Sequence, residues 1–209
     1  MSVHHRLFAA TYDALSASVE RRELAPRRAR LLSGLTGTVV DVGAGTGANL
    51  RHFRHAERVI LVEPDRYMRA RLSSRLGESS VPVEVSCADA EHLPLPDGAA
   101  DAVVFTLVLC SVPDQRLALL EARRVLKPGG TLAVLEHVRG QGRAARWQDR
   151  LDGLWGRCVA PGCHINRTTV ASIGEAGFEF TEISRLEAPA VALATPIIAG
   201  TAKPSPTFR

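Results

Sequence analysis

The sequence predicts an α/β fold in which a mostly parallel sheet carries helices on both faces. Three observations carry that prediction. Five apolar, strand-like runs alternate with helical stretches between residues 38 and 138, and the first of them runs directly into a glycine-rich turn. Two late strands then follow one another with no room for a crossover helix, which makes them an antiparallel hairpin.

Residues 1–37 read as a helical arm, because Leu7, Phe8, Thr11, Tyr12, Leu15 and Val19 recur at three- and four-residue spacing. Thr38–Val42 is a β-branched run, followed by the glycine turn and a helix over Asn49–His55. Arg58–Val62 is the second strand, and Arg66–Leu76 a helix stopped by Gly77. Val81–Ser86 is the third strand. Asp101–Cys110, the longest apolar run, is a fourth strand buried on both faces. The helix Arg116–Leu126 ends at the Lys127-Pro128-Gly129-Gly130 turn, and Thr131–Val138 is the fifth strand.

The alternation then breaks. Arg143–Cys158 forms a helix with Trp147, Leu151, Leu154, Trp155 and Cys158 on one face and Arg143, Arg146, Arg150 and Arg157 on the other. Gly153 and Gly156 weaken it. Thr168–Glu175 is a further helix, and Phe178–Leu186 and Val191–Ala202 are the hairpin strands. The whole reads as one domain over 1–209, with the arm at 1–37 and an insertion or lid at 139–167.

Composition narrows the function classes. With 209 residues, 45% hydrophobic and 23% charged, the chain has a globular composition and can bury about 70% of its unfolded surface without disulfides or metal. Its longest uncharged stretch, Ala188–Ala202, is broken by Pro189 and Pro196 and is too short to span a bilayer. No apolar signal core follows His4, His5 and Arg6, so a cytoplasmic protein is expected. Of 26 basic residues only Lys127 and Lys203 are Lys. The Arg excess fits either a GC-rich coding bias or a taste for anionic, planar partners. Nucleic acid is not expected as a partner, because aromatics are 5% and no basic run exceeds two residues. Cys87, Cys110, Cys158 and Cys163 include no C-x-x-C, so neither a zinc site nor a disulfide framework follows.

The chemistry concentrates in Val39-Val40-Asp41-Val42-Gly43-Ala44-Gly45-Thr46-Gly47. The glycines let backbone amides approach a ligand at a helix start. Dinucleotide folds use G-x-G-x-x-G for a pyrophosphate, whereas here the spacing is G-x-G-x-G with Asp41 two residues before it. An acid at that position repels a pyrophosphate and suits a ligand with a cationic amino group, which weakens a hydride-transfer reading. Glu63, twenty residues after Gly43, ends the second strand and can accept both hydroxyls of a ribose. Asp89 and Ala90, after the third strand, stand where an adenine amino group can be held. Taken singly, each acid reads equally well as a solvated loop residue or helix cap.

These residues resemble the class I S-adenosylmethionine-dependent methyltransferases. The shared motifs are Asp41–Gly47, Glu63-Pro64, Ala88-Asp89-Ala90 with Leu93-Pro94-Leu95-Pro96-Asp97, Asp101-Ala102-Val103-Val104, and Arg124–Gly130, covering about half the chain. The resemblance implies a seven-stranded Rossmann-like sheet of order 3-2-1-4-5-7-6 with strand seven antiparallel, and S-adenosyl-L-methionine as cofactor. It also implies that Asp41, Gly43, Gly45 and Gly47 hold the methionine portion, Glu63 with Pro64 the ribose, and Asp89 and Ala90 the adenine, with Leu107 beside them.

A narrower resemblance uses Thr106–Val112, Leu135-Glu136-His137-Val138, Gly162-Cys163-His164-Ile165-Asn166-Arg167 and a late Ala-Pro pair. These look like the methyltransferase-like thiol S-methyltransferases of animal microsomes and their bacterial relatives, without the animal proteins' hydrophobic N-terminal anchor. The implied acceptor is a small thiol. Carbon or oxygen methylation of a quinone or secondary metabolite, and a silent cofactor-binding partner subunit, are the alternatives. Leu109-Cys110-Ser111-Val112 has none of the acidic, amide, proline or aromatic grip that nucleobase amino methyltransferases carry there. His137 and His164 are candidate bases, against buried or solvent-facing histidines. Tyr12 can close over the sulfonium, and Cys110, Trp147, Trp155 and Arg167 are expected to wall the acceptor. The Arg face of the insertion is either solvated or attracted to anionic substrates or a membrane surface. No metal ligand is expected.

Overall fold

The computed structural model describes residues 11–14, 16–158, 160, 162–187 and 196–208. Leu7, Phe8, Leu15 and the Ala188-Pro189 pair lie outside them, as does the start of the predicted last strand. Seven strands form one sheet: β1 (Thr36–Val42), β2 (His55–Val62), β3 (Val83–Ser86), β4 (Ala100–Thr106), β5 (Leu126–His137), β6 (Phe178–Glu187) and β7 (Pro196–Pro204). Their order is β3-β2-β1-β4-β5-β7-β6. Neighbours pair parallel from β3 to β5, and β7 pairs antiparallel with both β5 and β6, as expected.

Strand alternation divides the core in two. On one face Val40, Val42, Ile60, Val62, Val103 and Phe105 pack against Ala118, Leu119, Ala122 and Val125 of helix α3 (Gln115–Val125). On the other, Val39, Val59, Leu61 and Val104 meet Leu32 and Leu72. Those leucines belong to α1 (Ala25–Leu32) and α2 (Arg66–Arg75) respectively. Each buried Leu or Val contributes about 1.5–3 kcal/mol relative to exposure. Asp65 caps α2 by accepting from the Tyr67 and Met68 amides, and Asp114 caps α3 by accepting from those of Arg116 and Leu117.

Three expectations are corrected. The helix over Asn49–His55 is only a 3-10 turn, Leu50–His52, because β2 already begins at His55, paired with Thr36. The fourth strand ends at Thr106, not Cys110. Leu107 takes φ 60°, a left-handed conformation that breaks the strand, although the apolar run continues. The helix at the insertion, α4 (Gly142–Cys158), forms through Gly153 and Gly156, but buries Ala145 and Gln148 and leaves Leu154 and Trp147 exposed. A short helix α5 (Thr169–Glu175) leads into the hairpin. No helix among the described residues is long and apolar enough to cross a membrane.

Candidate active site

A cleft of about 410 Å³ opens beyond the C-terminal ends of β1, β2, β4 and β5. Its first end is built by the β1 glycine loop. Gly43, Gly45 and Gly47 all take positive φ, and a Cβ on Gly43 would sit 2.4 Å from Val108 Cγ2, so only glycine lets this loop and the post-β4 loop meet. Four of the loop's amides are already spent within the protein. Those of Gly43 and Ala44 donate to the Val62 carbonyl, that of Gly47 to Ala44, and that of Gly45 to Glu63 Oε2 at 2.8 Å. With no full helix behind it either, the loop is no pyrophosphate cradle.

Charge is buried behind the loop. Asp41 Oδ1 accepts from Asn49 Nδ2 at 2.8 Å, while Oδ2 has no partner among the described residues. Burial raises its pKa to about 7, against the lowering pull of Asn49 and Arg28. Arg28, equally buried, donates through Nη1 to Asn49 Oδ1 and Thr106 Oγ1, both at 2.7 Å, and through Nε to Glu20 at 3.0 Å. Glu63 Oε1 accepts from the Asp65 amide at 2.8 Å, and burial raises its pKa as well. Tyr12 reaches the cleft wall from the arm, which is pinned to the glycine loop by Thr46 Oγ1 donating to Asp13 at 2.6 Å.

The second end is the post-β4 loop. Glu136 Oε1 accepts from the amides of Val108 and Leu109 at 2.9 and 3.0 Å, and Arg167 donates to the carbonyls of Leu109 and Val112, both at 2.7 Å. The His164 amide donates to the Cys110 carbonyl at 2.8 Å. So held, the loop presents Cys110 to the cleft beside His137 and Cys163, all three buried. The Cys163 thiol lies 3.3 Å from His137 Nε2. Its pKa is drawn far down by hydrogen bonds from Cys110 and then His137, while Cys110 is pushed up by that same contact and by burial.

Residues 40–134 match the family described as the methyltransferase domain. The chain is 37% identical over 151 residues to thiol S-methyltransferase TMT1B of Rattus norvegicus, covering 70% of this chain and 62% of that protein. To thiol S-methyltransferase TMT1B of Homo sapiens it is 33% identical over 168 residues, covering 76% of this chain and 68% of that protein. The chain belongs to the class I S-adenosylmethionine-dependent methyltransferases. It thus spans roughly two thirds of the length of these relatives. It is also 34% identical over 139 residues to the ubiquinone/menaquinone biosynthesis C-methyltransferase UbiE of Caulobacter vibrioides (strain NA1000 / CB15N), covering 61% of this chain and 54% of that one. The solved [4+2]-cyclase SpnF shares the fold, with a TM-score of 0.74, 22% identity and coverage of 97% and 94%.

The cofactor that defines this methyltransferase family fits the residues present. Its amino-acid end carries an ammonium and a carboxylate, which match the unpartnered Asp41 Oδ2 and the Arg28 guanidinium. Arg28 is the only Lys or Arg among the described lining residues. Glu63 and Pro64, Asp89 and Ala90, and Leu107 line the cleft. Not every expected site residue does. Asp41 is buried and does not itself line the cleft. Gly47 packs behind the loop, where a Cβ would strike Leu50 and Leu72. His164 is exposed and paired with Asp152 at 2.7 Å, outside the lining. Trp147 is 57% exposed on the outer side of α4 beneath Arg150, and Arg167 spends its donors on backbone carbonyls. Tyr12, Cys110, His137 and Trp155 do face the cleft.

Three residues went unassigned in the sequence: Arg28, Asn49 and Glu136. Arg28 is one of many arginines and shows no pattern. Glu136 was visible in Leu135-Glu136-His137, and a carboxylate inside an apolar strand is itself a signal.

Proposed function

We propose that this protein transfers the methyl group of S-adenosylmethionine to a small, fairly apolar acceptor, a thiol first among them. The observation that carries the acceptor class is the makeup of the cleft's second end. Leu107, Val108, Val112, Pro113, Trp155 and Ala160 line the cleft with Cys110, His137 and Cys163, and Ser111 adds one hydroxyl, 3.3 Å from Cys110 Sγ. Such a wall suits an apolar body ending in a polarizable sulfur. The likeness to TMT1B supports the same reading.

Bound S-adenosylmethionine supplies a methyl group activated on a sulfonium. Asp41, Arg28 and Glu63 would hold it by its charged and hydroxylated ends, and Tyr12 from the arm would cover it. The residues 139–167 act as a cap over the acceptor end through Trp155, Ala160 and Cys163. Alignment and exclusion of water carry most of the acceleration when charge is dispersed in the transition state. A thiol of pKa ~8.5 is already a few per cent thiolate at neutral pH, so no strong base has to be supplied.

A second reading, carbon methylation of a quinone, is favoured by the likeness to UbiE. Turnover against a panel of aliphatic and aryl thiols, phenols, quinones and amines separates the two. Thiols are expected to turn over at least ~10-fold faster than any other class. Quinone or phenol turnover with inert thiols would overturn the sulfur assignment. In the same assay Trp155→Ala is expected to raise KM for the acceptor several-fold, and Trp147→Ala to leave it unchanged.

A further inference from the structure

Cys110, His137 and Cys163 come from three separate elements: the post-β4 loop, the end of β5 and the segment after α4. Their donor atoms nevertheless all lie within 4.8 Å of one another, and all three residues are buried while lining the cleft. We propose that they form a binding site for a thiophilic divalent cation, zinc by its donor chemistry, with the fourth coordination position open to the cleft.

The geometry is close to what such an ion requires. Zinc bonds of ~2.3 Å to sulfur and ~2.0–2.1 Å to imidazole nitrogen place tetrahedral S and N ligands about 3.5 Å apart. Cys163 Sγ and His137 Nε2 stand at 3.3 Å. Two thiolates and one imidazole match a soft or borderline ion and exclude magnesium or calcium as occupants. Three protein ligands with one open position is the arrangement of catalytic rather than structural zinc.

His137 is buried at the end of β5 with Nε2 toward Cys163, the ring nitrogen that would take the ion. The ligands are also held from outside the cluster. Glu136 and Arg167 bind the backbone of the loop that carries Cys110, and the His164 amide ties that loop to the segment bearing Cys163. Preorganisation of this kind lets an ion bind without rearranging the chain. The remaining cysteines, Cys87 and Cys158, are exposed and apart from the cluster.

Within the thiol-acceptor reading, on which this role depends, the open position receives the acceptor's sulfur. Coordination releases the thiol proton to solvent, and the sulfur keeps both electrons as a metal-bound thiolate. The acceptor is thereby ionised below its free pKa and aimed at the cofactor end of the same cleft.

Cobalt(II) titration of the full chain, stripped with chelator and kept reduced, tests the site. One equivalent is expected to give the intense visible bands of tetrahedral cobalt with a thiolate-to-cobalt charge-transfer band, both bleached by one equivalent of zinc. Cys163→Ser and His137→Ala should each weaken cobalt binding by ~100-fold or more, while a Cys87→Ser/Cys158→Ser double variant keeps the spectrum. Weak octahedral bands, an unchanged spectrum in Cys163→Ser, or a Cys110–Cys163 disulfide forming in a chain that takes up no metal would overturn the proposal. Adding a small thiol to the cobalt protein should then shift the visible bands. A cobalt site that ignores thiols refutes the coordinating role and leaves thiol methylation to be decided by the acceptor panel.

Discussion

Replacing Arg28 with Met is expected to lower the stability of the unliganded fold by about 3–5 kcal/mol, the range for removing one partner of a buried ionic network. For a domain of this size that corresponds to a fall in midpoint temperature of roughly 10 °C. Arg28 is buried and ties together Glu20 from the arm, Asn49 behind the glycine loop and Thr106 at the end of β4. It is also the counter-charge nearest the buried Asp41, whose pKa it helps to hold down. Removing it strands Glu20 and Asp41 and leaves Asn49 and Thr106 short of a donor. Denaturant melts read at matched pH check this. A loss below ~1 kcal/mol would mean that the network relaxes onto water, and that the arm is not locked to the cleft through Arg28.

The second large effect concerns Asp41. Its carboxyl titrates at about 7 in the free protein because burial disfavours the charged form. A ligand ammonium at the unpartnered Oδ2 favours the ionised form and so lowers that pKa. The free protein therefore takes up a proton below pH 7 that the complex does not. Cofactor affinity is expected to fall by up to tenfold per pH unit as pH drops from about 7 toward 5. Asp41→Asn should flatten this dependence and weaken binding by ~10–100-fold at pH 8, as expected for losing a hydrogen bond to a charged group.

The sign of the stability effect is opposite. A carboxyl whose folded pKa is raised above its unfolded value stabilises the fold most below that unfolded value. The contribution is lost as pH rises through about 7. Unliganded Asp41→Asn should therefore gain on the wild type above pH 7 in thermal melts. Equal slopes in affinity for the two proteins between pH 5 and 7 would show that Asp41 does not meet the ligand's charge.

What could be read from the sequence was local. The strand–glycine–acid pattern of Val39–Gly47 and the acids at the ends of β2 and β3 depend only on neighbours in the chain. Gly43, Gly45, Glu63 and Asp89 fall on the cleft as the spacing implies, while Asp41 is buried off its lining and Gly47 packs behind the loop. The late hairpin was also legible, since two strands without a helix between them have few ways to pair. The misreadings have a common cause. Hydrophobicity reports burial and not extension, so Leu107–Cys110 continued the apolar run of β4 while folding as a turn around Leu107. Sheet register claimed His55 for β2, and the helix expected before it shrank to a single turn. Gln148 is buried where Trp147 was expected, because its side chain accepts from the Gly140 amide at 2.7 Å. Cys110 and His137 stood out singly, but neither Arg28 nor the meeting of Cys110, His137 and Cys163 could be seen. Each joins elements far apart in the chain, and only the assembled sheet brings them together.

On this reading the cleft between the β1 glycine loop and Cys110 is the S-adenosylmethionine site. Titration calorimetry with S-adenosylhomocysteine tests it most directly. The full chain is expected to show saturable one-to-one binding. Glu63→Ala, folded by circular dichroism, should bind about 100-fold more weakly, since it loses a charged acceptor and frees the Gly45 amide. No saturable heat, or an affinity unchanged by Glu63→Ala, would contradict the account.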